Sequence, residues 1–99
     1  MYLDTYINQI KGLCYNHKVK HLFVFGSVLT DKFSDKSDID LLVDINSDDP
    51  IEYAENYFDL KFGLEKILNR PIDLLEERAL KNTFLKTSID NSKQMIYGA

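Results

Sequence analysis

The sequence predicts a small α+β fold of layered α/β type, in which helices pack against a mixed β-sheet of three to four strands. Two apolar runs of strand length, HLFVF and IDLLV, alternate with segments whose apolar residues recur at helical spacing. The predicted order is helix, strand, short helix, strand, helix, strand, helix. With 99 residues, the chain is expected to form a single domain over 1–99.

The first half of the chain is predicted to contain one helix and two strands. Apolar residues at helical spacing from Leu3 to Cys14 predict a helix over about 4–18. The apolar run from His21 to Phe25 ends at Gly26, which predicts a buried strand. The next segments are predicted to be a short helix or turn (27–32), a polar loop (33–37) and a second strand (38–45).

The second half is predicted to begin with a long helix over 50–69. Asp48 or Asp49 is the expected N-cap, with Pro50 in the first turn, and Gly63 weakens the helix slightly. After it come a short strand (71–75), a last helix that starts at Glu76 or Glu77 and ends near 91, and a closing edge strand (94–97). Acidic residues at the start of the last helix would stabilise the positive end of its dipole.

Composition and charge narrow the functional classes. The net charge is −4 and the pI is about 5.0, which argues against general binding of nucleic acid. The longest apolar runs are far shorter than the ~18 residues of a membrane-spanning helix. The single Cys14 excludes an internal disulfide, is expected in the core, and fits the reducing cytoplasm where we expect the protein.

Two aspartates follow a Gly-Ser pair in the stretch GSVLTDKFSDKSDID at 26–40. In a strand, Asp38 and Asp40 point to the same face, and the intervening aliphatic residues point into the core. The two carboxylates repel each other, and a divalent cation such as Mg²⁺ relieves that repulsion. The alternative is that both aspartates lie in solvent at the edge of the sheet.

Three further residues belong to the same candidate site. Gly26 permits close approach to its backbone, and the Ser27 hydroxyl with nearby backbone N–H groups can cradle a phosphate, although many strands end this way for packing alone. Asp73, in the strand PIDLL, is expected to face away from the core. If its strand pairs beside the second strand in the right register, Asp73 lies about 5 Å from Asp40; otherwise it is an exposed strand aspartate.

The pattern GS-x10-DIDLLV, followed by a helix, NRPIDLL and a last helix, resembles the minimal nucleotidyltransferase (MNT) proteins of the DNA polymerase beta superfamily. The resemblance covers about 22–96 and implies the polymerase beta-like nucleotidyltransferase fold. It also implies metal-dependent transfer of a nucleoside monophosphate, AMP from ATP being expected, with pyrophosphate as the leaving group.

The resemblance assigns a role to each residue of the candidate site. It implies that Asp38 and Asp40 are ligands of two Mg²⁺ ions, and that Asp73 completes one ion's site and helps to take the proton of the acceptor. It further implies that Gly26 and Ser27 hold the β- and γ-phosphates of the nucleoside triphosphate.

The resemblance also implies a partner. MNT proteins commonly pair, as antitoxins, with a helical HEPN-domain ribonuclease toxin, and several transfer AMP to a tyrosine of that toxin. A chain of this length has little room for an acceptor-binding domain, so a HEPN partner is the expected acceptor. The expected assembly is a homo-oligomer or a hetero-oligomer. The helix aromatics form either a docking face or part of the core: Tyr53, Tyr57, Phe58 and Phe62.

One departure from the family pattern keeps other functions open. The family continues after Gly-Ser with an Arg-Gly, where this chain has Thr30 and Asp31, so a cation is missing and an acid is added. The alternatives are an MNT-fold binding module that neutralises a HEPN partner sterically, and a nucleotidyltransferase for small molecules of the aminoglycoside type.

The remaining basic residues are expected to have structural roles. Arg70 is expected to cap the long helix rather than to contact substrate. The two histidines, His17 and His21, are expected at the surface or at a helix end.

Overall fold

The computed structural model describes residues 1–98 and confirms the predicted fold class, a mixed four-stranded sheet with helices. The elements are α1 (Ile7–Asn16), β1 (Val19–Phe25), β2 (Ile39–Ile45), α2 (Pro50–Leu68), β3 (Ile72–Glu76), α3 (Thr83–Ser92) and β4 (Gln94–Tyr97). The sheet order is β3-β2-β1-β4; β2 and β3 are parallel, and the other two pairs are antiparallel. Within the described residues, no helix is long and apolar enough to span a membrane.

The long helix α2 begins and ends as local sequence dictates. The Asp49 side chain accepts hydrogen bonds from the backbone N–H groups of Ile51, at 2.9 Å, and Glu52, at 3.3 Å. It therefore satisfies two of the N–H groups that a helix start leaves free. At the other end Asn69 adopts a left-handed conformation with φ of 52° and terminates the helix.

The main core lies between one face of the sheet and the helices α1 and α2. Leu60, Leu64 and Leu68 of α2 are fully buried and form a single stripe, because their spacing of four residues repeats about once per helical turn. A Cβ at Gly63 would lie 2.8 and 2.9 Å from the two δ-carbons of Leu13. This glycine therefore lets α1 cross α2 at close range, a packing role that offsets its low helix propensity.

Two of the aromatic residues of α2 belong to the core, and two are exposed and could form a docking face. Tyr53 and Tyr57 pack against the core, and the Tyr57 hydroxyl donates to the carbonyl of Leu74 at 2.6 Å. Phe58 and Phe62 are exposed, with ring centroids 6.2 Å apart. The tyrosines thus support the fold, and only the two phenylalanines remain available as a docking face.

The predicted start of the last helix at Glu76 or Glu77 is wrong. Glu76 is the last residue of β3 and pairs with Val43, because the ladder with β2 continues past the residues predicted as strand. A short 3-10 turn over 77–79 follows, and α3 begins only after Asn82, whose side chain accepts from the Leu85 N–H at 3.1 Å. The closing edge strand over 94–97 is confirmed as β4.

We expect Leu64→Ala to lower the free energy of unfolding by about 3 kcal/mol, because it leaves a cavity in the main core. Phe62→Ala is the matched control on the same helix, since this side chain is 59% exposed and its loss should cost less than about 1 kcal/mol. Urea denaturation monitored by circular dichroism measures both values. Equal losses for the two variants would contradict the described packing of α2.

We expect the Cys14 thiol to resist an aqueous thiol reagent in the native protein at pH 8 and to react fully in denaturant. Burial raises the pKa of this thiol from 9.0 to about 12, so the reactive thiolate is nearly absent from the folded chain. The same shift means that Cys14 lowers stability as the pH rises above about 9, because the thiol then ionises only in the unfolded chain. Rapid native labelling would show that the thiol is accessible.

Candidate active site

The acidic residues predicted to act together lie at one end of the sheet, where β2 and β3 begin and β1 ends. Asp40 pairs with Phe25 of β1 on one side and with Asp73 of β3 on the other. The register that would make Asp40 and Asp73 direct neighbours is therefore the register observed. Ile72 and Leu74 are buried, so Asp73 points to the opposite side, where it is exposed.

Gly26 lies directly against the carboxylate of Asp40. Its φ is +81°, in the region that favours glycine, and a Cβ built on it would lie 2.3 Å from Asp40 Oδ2. Any side chain at this position would therefore displace the carboxylate. Within the described residues, the group that lies closest to this face of Gly26 is the carboxylate of Asp40.

Asp38 contributes to the same cluster from outside the ladder. It is exposed and lies one residue before β2 begins. Partial burial raises the pKa of Asp40, and the negative charges of Asp73 and Asp38 raise it further. The three predicted aspartates thus interact electrostatically around a partly desolvated carboxylate. A cation would stabilise this arrangement, and carboxylate oxygens are the ligands that Mg²⁺ prefers, so the donor set fits that ion.

Ser27 lies in a 3-10 turn over 26–29 that joins β1 to the following loop. The backbone N–H and the hydroxyl of Thr30 both donate to the Ser27 carbonyl, at 2.9 and 2.8 Å. Val28 is buried and anchors the turn to the core. Thr30, which departs from the family pattern, therefore closes the turn, whereas Asp31 is exposed. A phosphate-binding role for Gly26 and Ser27 stays a prediction.

Arg70 does not cap α2, contrary to the sequence-based expectation. Its Nη1 donates to the carbonyls of Ser34 and Ser37, at 2.8 and 3.0 Å, in the loop that leads into Asp38. The Tyr2 hydroxyl instead donates to the carbonyl of Leu68 at the helix end. No local motif reveals these contacts, because they join residues more than 30 positions apart.

A second cluster of ionisable residues lies on the same face of the sheet, at its other end. His21 Nε2 and Glu77 Oε2 are 2.7 Å apart, and Asp44 pairs with His21 across the ladder between β1 and β2. The potential ligand atoms of these three residues all lie within 4.8 Å of one another, which is not found for the three aspartates in residues 1–98. Arg78 Nη2 donates to Asp44 at 3.1 Å, so a cation already neutralises this carboxylate.

Sequence reasoning missed the second cluster because it depends on register. His21 lies within β1, in the strand that the sequence predicts, but its alignment with Asp44 follows an irregularity in the pairing after Val19, which local sequence does not reveal. We interpret the cluster as a network of polar side-chain contacts that joins β1, β2 and the turn after β3. Arg78 completes it by donating to the Ile45 carbonyl at 2.7 Å.

The sequence matches a family model and several curated proteins. Residues 8–99 match the family described as Polymerase beta, Nucleotidyltransferase. Two Methanocaldococcus jannaschii proteins that are each named "Putative protein adenylyltransferase" are similar to this chain. One is 33% identical over 81 residues, covering 82% of this chain and 78% of the relative. The other is 32% identical over 99 residues, covering 92% and 96%.

Solved structures agree with this match. A structure described as a "putative minimal nucleotidyltransferase" superposes with a TM-score of 0.77 at 27% identity, covering 93% of this chain and 90% of that chain. A chain from the crystal structure of a toxin-antitoxin with AMP-PNP gives 0.70 at 25% identity, covering 94% and 73%. The complex of a tri-AMPylated Shewanella oneidensis HEPN toxin with its MNT antitoxin gives 0.66 at 24% identity, covering 100% and 74%, and supports the fold alone. The chain therefore belongs to the polymerase beta nucleotidyltransferase family, and the MNT resemblance of its motifs is confirmed.

Proposed function

We propose that this protein is a metal-dependent nucleotidyltransferase that transfers AMP from ATP to a hydroxyl of a HEPN-domain partner, and that it acts as the antitoxin of that partner. The observation that carries the proposal is the pairing of Asp40 with Asp73 beside Gly26, with Asp38 close enough to affect the pKa of Asp40. The similar M. jannaschii proteins, named as adenylyltransferases, support AMP as the transferred group.

In this proposal, each acidic residue has a defined task. Asp38 and Asp40 would hold two Mg²⁺ ions with Asp73, and Gly26 with Ser27 would bind the terminal phosphates. The bound ions would supply positive charge for the phosphates and the attacking oxygen. The acceptor oxygen forms a bond to the α-phosphorus, the bond to the bridging oxygen breaks, and pyrophosphate leaves. Asp73 is the exposed acid beside Asp40, so we assign to it the proton of the acceptor hydroxyl.

The acidic cluster is open to solvent on one side, so a partner protein could present its acceptor hydroxyl there. Asp38 and Asp73 are both exposed, so the described chain leaves the cluster accessible from solvent. The similar chain from a toxin-antitoxin structure was solved with AMP-PNP, an ATP analogue, which supports both a nucleotide and a protein partner for this fold. The exposed pair Phe58 and Phe62 offers an apolar surface for such a partner.

The second candidate is a binding module that neutralises the same partner sterically. It is favoured by the residues that follow the Ser27 turn, because Thr30 and Asp31 replace the Arg-Gly of the family pattern. Thr30 keeps the turn closed without a cation, and the exposed Asp31 adds negative charge near the place where phosphates would bind. In this candidate, the protein would keep its fold and would bind the partner, but its catalytic activity would be weak.

We expect Gly26→Ala to abolish stabilisation of the protein by Mg²⁺ and ATP. In the wild type, ligand at about 100 times its Kd should raise Tm by about 13 °C. In the variant, the new methyl group is too close to Asp40 Oδ2 and must displace it, and the left-handed backbone is strained. Gly12→Ala is the matched control, because no atom lies within 4 Å of its added Cβ. Differential scanning fluorimetry with and without Mg²⁺ and ATP measures both, and an unchanged shift in Gly26→Ala would contradict the site.

The proposed activity is tested by label transfer from α-labelled ATP with Mg²⁺ to the proposed HEPN-domain partner. We expect the partner to gain the mass of one or more AMP units. Asp40→Ala should lower the rate at least about a hundredfold, since even the loss of an outer partner of a metal site costs about 10–100-fold. Asp90→Ala, at an exposed acid on α3 away from the Phe58 and Phe62 surface, is the control and should leave the rate unchanged.

The same assay separates the two candidates. Transfer that depends on Asp40 supports the enzyme. No transfer by the wild type, together with a tight complex that persists in an Asp38→Ala, Asp40→Ala double variant, would overturn catalysis and leave the steric binding module.

A further inference from the structure

Arg70 joins the two segments that lead into the acidic cluster. It lies three residues before Asp73, and its Nη1 donates to the carbonyls of Ser34 and Ser37. Ser37 is the residue directly before Asp38. One guanidinium group thus ties the start of β3 to the loop that carries the first aspartate of the pair.

Two aromatic rings hold the guanidinium in place. Its central carbon lies 4.7 Å from the centroid of the Tyr2 ring and 4.4 Å from that of the Phe33 ring. The Tyr2 hydroxyl is itself fixed by its bond to the Leu68 carbonyl, and the Arg70 side chain is only 13% exposed. The planar group therefore stacks on both rings while it donates in its own plane, which a lysine ammonium cannot do.

Asp38 depends on this contact more than Asp40 or Asp73 does. Asp40 and Asp73 are fixed by their ladder pairing, whereas Asp38 lies outside the strand in an exposed segment. Two contacts link its segment to the start of β3: the two bonds from Arg70, and the bond from the Ile39 N–H to the Pro71 carbonyl at 3.2 Å. The turn before it is also closed locally, because the Ser37 N–H donates to the Ser34 carbonyl at 3.0 Å and the Ser34 N–H donates to Ser37 Oγ at 3.1 Å. Without Arg70, the segment before Asp38 would lose its link to the start of β3.

We propose that Arg70 is a positioning residue that fixes Asp38 in the geometry needed to bind Mg²⁺ and ATP. The proposal rests on the function proposed above. Arg70 acts through the Ser34–Ser37 loop and does not contact the substrate, because its guanidinium is already engaged with two carbonyls of that loop and with the two rings. Its Nη2 also lies 3.7 Å from the exposed carboxylate of Asp35 in the same loop. The positive charge of Arg70 therefore serves to fix the position of Asp38 and does not neutralise a phosphate of the substrate.

Arg78 provides a matched control in the same chain. Its guanidinium also stacks on an aromatic ring, 4.5 Å from the Tyr53 centroid, and donates to backbone carbonyls, those of Ile45 and Ser47. It performs this task at the other end of the sheet, beside Asp44. Loss of Arg78 therefore removes a comparable interaction without touching the segment before Asp38.

The test uses Arg70→Ala, Arg70→Lys and Arg78→Ala in the full chain, at a temperature where all remain folded. Amide hydrogen exchange of the free protein reports on order at Ser37, Asp38 and Ile39. Calorimetric titration with AMP-PNP and Mg²⁺ gives Kd. We expect Arg70→Ala to exchange faster at these amides and to raise Kd by about tenfold, because binding must then order the segment. Arg70→Lys should resemble Arg70→Ala in both its exchange rates and its Kd. Arg78→Ala should have the exchange rates at these amides and the Kd of the wild type.

The results for the three variants separate a positioning role of Arg70 from general destabilisation and from failure of the proposed function. Unchanged exchange and unchanged Kd in Arg70→Ala would overturn the proposal, as would an equal rise of Kd in Arg78→Ala, since that would indicate general destabilisation. A wild-type protein that binds no AMP-PNP would overturn the proposed function instead. Hydrogen exchange in the free protein would still show, in that case, whether Arg70 orders Asp38.

Discussion

The parallel pairing of β2 with β3 is the interaction on which the candidate site depends. It places Asp40 and Asp73 side by side, although 32 residues of chain and the whole of α2 separate them. The pairing is held by aliphatic residues that alternate with the acids and are buried under the helices, among them Ile39, Leu41 and Leu74. Hydrophobic burial on one face of the sheet thus maintains a costly concentration of negative charge on the other.

Sequence periodicity predicted the fold and the order of its elements because apolar spacing reports directly on which face is buried. The alternation of acids and aliphatic residues predicted that Asp38, Asp40 and Asp73 face away from the core, and their adjacency depended on a register that the structure shows for Asp40 and Asp73. It failed at Glu76, where the ladder with β2 outweighs the tendency of consecutive acids to begin a helix. It also failed for Arg70 and His21, because their partners are set by long-range contacts that no local pattern encodes.

The two ends of the sheet differ in how their acidic side chains are paired. At the far end, Asp44 forms an ion pair with Arg78, and Glu77 lies 2.7 Å from His21. At the near end, the cluster around Asp40 has acidic neighbours. The nearby guanidinium of Arg70 donates to backbone carbonyls and lies 3.7 Å from Asp35 of the preceding loop. This difference in pairing is consistent with the cation site proposed for the near end.

The position of α2 between the two strands has a consequence for the integrity of the site. Because α2 connects β2 to β3, the pair Asp40 and Asp73 exists only when this helix is docked and both strands are in register. A fragment that ends within α2 retains the Gly-Ser turn and both aspartates of the motif but lacks the third. The site is therefore a property of the folded chain as a whole, and a truncated product would carry the motif without the cluster.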